Sequence, residues 1–169
     1  GTPEPADLAR LPRIPSAAVN QEDGQKLIAL AKSGGRACIR TNLETGWFKQ
    51  NMPVVEIPSS ENNKEFILLH GHYDSWREGV GDNGTGNACM LEVARVLWNN
   101  RDKLKRSVKL AWWAGHSTGR YGGSAWFADT FAIDLAENCV AHMNCDSPGC
   151  RWATDYSSIS CMSETESFV

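Results

Sequence analysis

Between Phe66 and Cys145 the chain alternates short, continuous apolar runs with longer stretches in which apolar residues recur every three or four positions. Phe66-Ile67-Leu68-Leu69-His70 and Val108-Lys109-Leu110-Ala111-Trp112-Trp113 have the length and continuity of strands buried on both faces. Cys139 to Cys145 reads as a third strand of that buried kind. Met90, Leu91, Val93, Ala94 and Leu97 fall at helical spacing and predict a helix over 84–104; a second helix is expected over 124–135. Strand, helix, strand, helix, strand predicts an α/β fold: a mainly parallel sheet flanked by helices on both faces, in three layers.

The first 52 residues show another pattern and are expected to be a separate unit, with the α/β domain over 53–169. Residues 14–19 read as a short strand, and Asn20 caps a helix that carries Leu27, Ile28, Leu30 and Ala31. Gly34-Gly35 ends that helix, and 37–41 reads as another strand. One helix and two or three strands enclose too little apolar surface for a core of their own. The segment therefore reads as the α+β end of an accessory domain, or as a cap on the α/β domain.

Composition narrows the function more than the fold. With 169 residues, 18.6 kDa, 41% apolar and 22% charged residues, the chain has the material for a packed core, which excludes disordered and fibrous classes. Seventeen basic and twenty acidic residues leave a net charge of −3 with no basic face, against a nucleic-acid partner. The apolar run 108–114 is far too short to span a membrane. Six cysteines contain no C-x-x-C pair, so a zinc knuckle is not expected, and Cys139 and Cys145 read as small core hydrophobes. With no secretory apolar segment opening the sequence, the expected compartment is reducing and cytoplasmic. A homo-oligomer is compatible with this composition.

In parallel sheets chemistry gathers beyond the carboxyl ends of the strands, and there the polar residues of interest fall. His72 and Asp74 come after the first strand, Gly115-His116-Ser117 after the second and Asp146 after the third. An H-x-D pair on extended backbone points both side chains one way, so His72 suits a metal while Asp74 orients its ring. Gly81-Asp82-Asn83-Gly84-Thr85-Gly86 gives the backbone a tight turn that presents Asp82 inward. One imidazole and two carboxylates, His72, Asp82 and Asp146, suit zinc or a similar divalent ion, and a bridging carboxylate holds two. Each motif alone has an ordinary structural explanation; their convergence at three strand ends does not. Around them, Trp112 and Trp113 are expected to pack on opposite faces of the sheet, and His70 to be a hydrogen-bonded core residue. Trp76, Arg120 and Tyr121 are candidates for a substrate pocket.

The segments Leu69-His70-Gly71-His72-Tyr73-Asp74-Ser75, Gly81-Asp82-Asn83-Gly84-Thr85-Gly86, Ala111-Trp112-Trp113-Ala114-Gly115 and Asn144-Cys145-Asp146 resemble the successive signatures of the M28 family of zinc metallopeptidases. Residues 12–50 resemble the end of the protease-associated (PA) domain that many of these peptidases carry. The resemblance implies a zinc aminopeptidase-like hydrolase that cleaves an N-terminal peptide bond, or a related amide, with a metal-activated water. It makes His72 a ligand of one zinc, Asp82 the bridge between two, Asp146 a further ligand and Asp74 the support of His72. Two departures are visible. The family's Glu-Glu pair, general base and ligand, is here His116-Ser117, which leaves His116 as the candidate base or, alternatively, a metal ligand, while Ser117 is a poor replacement for a carboxylate ligand. The family's last histidine ligand has no counterpart after Asp146, so the sequence reads as the first part of such a domain.

Two other readings compete. A domain that keeps the fold but has lost turnover, acting in binding or as a receptor, would show the same Glu-Glu to His-Ser change. Gly115-His116-Ser117-Thr118-Gly119 also matches a serine nucleophile elbow. The only histidine after Ser117 is His142, which is expected inside a buried strand where it fits a triad poorly.

Overall fold

A computed structural model describes residues 14–42, 44, 49–61, 63–149, 151–154, 161 and 163–167. The chain separates into two units between Lys49 and Gln50.

In the first unit, α1 (Gln21–Lys32) is held by local interactions. Asn20 Oδ1 accepts the Asp23 amide at 2.8 Å, and Glu22 and Asp23 place negative charge where unpaired N–H groups emerge. At the other end Gly34, at φ +74°, reverses the chain, so that Gly34 N donates to the Ala31 carbonyl and Gly35 N to that of Leu30. No residue of α1 is buried. The strands expected at 14–19 and 37–41 are not formed. A strand needs a partner to pair its backbone, and among the described residues neither segment has one.

The second unit is built on a four-stranded sheet, β1 (Val54–Ile57), β2 (Phe66–His72), β3 (Ser107–Trp113) and β4 (Cys139–Asn144), in the order β1-β3-β2-β4. β2 runs parallel to β3 and to β4, and β1 pairs antiparallel with β3. The sequence pattern does not reveal β1: four residues on an outer position carry too little periodicity to stand out. On one face Leu69, Val108, Leu110 and Trp112 pack with Ile57 and with Met90 of α2 (Gly86–Asn99). On the other, Phe66, Leu68, Ala111 and Trp113 pack with Phe127 of α3 (Gly122–Thr130). The two tryptophans thus bury on opposite faces, as adjacent strand residues must, and the three-layer α/β architecture is formed.

Three expectations are corrected. The helix expected over 84–104 begins at Gly86 and ends at Asn99, because Asp82 and Asn83 adopt non-helical dihedrals in the turn before it. The helix expected over 124–135 is two, α3 and α4 (Ala132–Asn138), broken at Phe131. β4 is not buried: it is an outer strand, with Val140 to Asn144 exposed.

Candidate metal centre

His72 is the last residue of β2 and its side chain is 1% exposed. Its Nδ1 lies 2.8 Å from the Asp74 carbonyl oxygen. A carbonyl only accepts, so Nδ1 carries a ring proton, and in the neutral ring Nε2 keeps its lone pair. Nε2 is buried and makes no hydrogen bond, although Asp82 Oδ1 stands 2.7 Å away and Asp146 Oδ1 3.3 Å away. A lone pair facing two carboxylate oxygens is repulsive unless a cation lies among them, and it is a donor set suited to one. The imidazole of His116 stacks on that of His72, with ring centroids 4.1 Å apart. Ligand atoms of His72, His116 and Asp146 all lie within 4.8 Å of one another.

The ring-orienting part expected of the Asp74 carboxylate belongs instead to its carbonyl. The carboxylate lies 3.8 Å from Nδ1 and accepts the amides of His116, Ser117 and Thr118 at 3.0, 2.9 and 3.3 Å. Burial alone would raise the Asp74 carboxyl, but these N–H groups outweigh it and hold it below the usual carboxylate range. One residue therefore fixes the tautomer of His72 through its backbone and the loop carrying His116 through its side chain. For His116, burial and the neighbouring His72 ring outweigh the pull of the Asp146, Asp74 and Asp82 carboxylates and hold the imidazole below its ordinary value.

Asn83 was missed by sequence reasoning. It is 1% exposed, and its Nδ2 donates to the carbonyls of His72 at 3.0 Å and Cys145 at 2.9 Å, while its Oδ1 accepts the Ser147 amide at 3.1 Å. Asn83 thereby ties the ends of β2 and β4 to the turn that carries Asp82. Two glycines make room for it: a Cβ on Gly86 would stand 2.1 Å from Asn83 Oδ1, and one on Gly71 2.6 Å from the Cys145 carbonyl. The signal in the sequence was an amide side chain enclosed by glycines beside a ligand-type aspartate.

Among the pocket candidates, Tyr121 sets its ring edge-on to His116 at 4.9 Å between centroids, and the Arg120 guanidinium lies 5.4 Å from the Tyr121 ring. Trp76 stands 78% exposed. His70 accepts the Trp113 indole N–H at Nδ1 (3.1 Å) and therefore donates from Nε2 to His142 Nδ1 (3.2 Å). Burial, with His142 beside it, pushes His70 down to about 4 against the opposing effect of the Asn144 side chain. Both nitrogens of His70 are thus engaged. His142 is paired with His70, and among the described residues no hydrogen bond joins Ser117 Oγ to a histidine. Burial pushes the Cys145 thiol up to about 11, and the neighbouring Cys89 thiol adds to the rise.

The profile of Peptidase family M28 matches residues 54–167, two thirds of the chain. The chain belongs to this peptidase family. It is 28% identical over 131 residues to leucine aminopeptidase 2 of Trichophyton equinum, an alignment covering 76% of this chain and 25% of that protein. To carboxypeptidase Q of Bos taurus it is 26% identical over 122 residues, covering 69% of this chain and 26% of that protein. An M28 peptidase precursor of Shewanella amazonensis, known from its crystal structure, is 27% identical with a TM-score of 0.46, covering 52% of this chain and 20% of that one. The chain spans about a quarter of the length of these two enzymes.

Proposed function

We propose that this M28 chain is a divalent-metal hydrolase, with zinc as its ion, that cleaves the N-terminal amide bond of a peptide or amino-acid amide. The observation that carries the reading is the buried, unpartnered Nε2 of His72 facing Asp82 and Asp146. His72, Asp82 and Asp146 would hold one ion, and Asp82, its side chain 65% exposed, has a free edge for a second. When bound, such an ion polarises a scissile carbonyl and acidifies a water.

The chain's own residues supply the remaining chemistry. The Asp74 carbonyl keeps the His72 lone pair aimed at the donor cluster. His116, neutral near pH 7 because its pKa is lowered, takes a proton from the attacking water and returns it to the leaving amine. The Asp74 carboxylate holds the loop so that this imidazole stays stacked on His72. Tyr121 sets its ring edge-on against His116. A second reading, a metal-binding domain without turnover, draws on position 117, where the serine supplies its amide to Asp74 and offers no carboxylate to a second ion.

Hydrolysis of an aminoacyl amide by the zinc-loaded chain separates the two. We expect turnover that falls about 100-fold or more in His116→Ala. Its acid limb should lie below about pH 6.5, the ordinary imidazole value, because a lowered base pKa extends the active range toward acid. Stoichiometric zinc without turnover would favour the binding domain.

A further inference from the structure

Val140 to Asn144 are exposed, so little apolar packing holds the middle of β4 to the sheet. Among the described residues β4 is an outer strand with β2 as its neighbour, and its register with β2 is irregular between Phe66 and Ile67. A strand so placed frays readily unless something besides its backbone ladder ties it down. A chain of side-chain hydrogen bonds does so across three strands. The Trp113 indole N–H of β3 meets Nδ1 of His70 in β2 at 3.1 Å, and His70 Nε2 meets Nδ1 of His142 in β4 at 3.2 Å. An indole N–H only donates, so His70 keeps its lone pair on Nδ1 and its proton on Nε2, and His142 accepts at Nδ1. The two imidazole planes lie 20° apart with centroids 5.5 Å apart, as an N–H···N bond between rings set edge to edge requires. The carbonyl of the same His70 accepts the Cys145 amide at 2.7 Å, and the next residue, Asp146, brings Oδ1 to 3.3 Å from His72 Nε2. The histidine pair therefore fastens β4 just before the segment that enters the candidate metal centre.

We propose that His142 is a positioning residue for that centre: its Nδ1, by accepting from His70, docks β4 against β2 and keeps Asp146 facing His72. The proposal rests on the metal reading of the site. His142 is outside the donor set and acts through His70, whose ring takes the hydrogen bond and whose carbonyl holds the Cys145 amide. Without an acceptor at position 142 the half-buried His70 N–H loses its partner, and an exposed outer strand loses a side-chain tie to the sheet. The exit of β4 then drifts from His72, and the ion loses a fixed ligand while both faces of the core stay packed. Outer ligands of this kind set metal affinity through the groups that they orient.

The test compares His142→Leu, which offers no acceptor, with His142→Asn, whose Oδ1 can stand where Nδ1 stands. Both substitutions fall on an exposed residue, and circular dichroism verifies that the variants fold. Isothermal titration with zinc should show an affinity roughly tenfold or more weaker in His142→Leu and close to wild type in His142→Asn. Amide exchange at Cys145, followed in the metal-free chain, should quicken in the leucine variant and slow again in the asparagine one. Zinc binding by His142→Leu as tight as that of the wild type, or an equal loss in both variants, would overturn the proposal and leave the metal reading standing. A wild-type chain that binds no zinc would overturn both. Nitrogen-15 spectra that place a proton on Nδ1 of His142 in the folded wild type would also overturn the proposal.

Discussion

The helix α1 and the strand ends around His72 are held by opposite means. Among the described residues the contacts that fix α1 are local: Asn20 caps three residues ahead, Gly34 and Gly35 close onto Ala31 and Leu30, and no side chain is buried. At the strand ends nearly every contact is distant. Asp74 holds the amides of 116–118, and Asn83 holds the carbonyls of residues 72 and 145. A local contact is lost alone, whereas a distant one carries with it the segments that it joins. The difference decides which substitutions disturb the centre and which disturb only their own turn.

Asn83→Ala is the strongest way to break that contrast. It removes the partner of two carbonyls and an amide in a buried site, and we expect a loss of about 4 kcal/mol, read by urea denaturation. Such a loss is a large share of the stability of a domain this size.

Next comes Asp74→Ala, which frees the loop carrying His116 and should cost roughly 2 kcal/mol by the same measurement. The wild-type contribution depends on pH. The Asp74 carboxyl is depressed in the folded chain, so its stabilisation is full above the unfolded carboxylate value of about 4 and disappears as pH falls through the lower folded value. Stability profiles of wild type and variant should therefore converge in acid and separate above about pH 4.

The smallest effect belongs to the local region. Asn20→Ala removes the cap of α1 at a cost of about 1 kcal/mol, seen as faster amide exchange in the first turn of α1. The unfolding midpoint of the sheet unit should stay unchanged.

The same contrast explains what could be read from the sequence. Helix α1 was visible because its cap and its terminal glycines are adjacent in the chain. The strands Phe66–His72 and Ser107–Trp113 announced themselves by continuous apolar runs, and Trp112 and Trp113 divided between the two faces as alternation requires. His72, His116 and Asp146 were identified as strand-end residues and Asp82 as the residue presented by the glycine-rich turn, and the fold brings them together. What stayed hidden depends on partners far along the chain. β1 exists by pairing with β3, and the openness of β4 comes from its place in the sheet order rather than from its composition. Extended segments at 14–19 and 37–41 carry strand-like residues but, among the described residues, no partner. Asn83 looked like a turn residue because its partners, Cys145 and Ser147, lie 62 and 64 positions away.

In the proposed site the lone pair of His72 and the carboxylates of Asp82 and Asp146 hold one cation. Isothermal titration of zinc into the metal-free chain tests it most directly, with Asp82→Ala and its retained fold as the comparison. Saturable binding of at least one zinc per chain is expected in the wild type, with an affinity roughly tenfold or more weaker in Asp82→Ala. A wild-type chain that takes up no stoichiometric zinc, or an Asp82→Ala variant that binds it equally well, would contradict it.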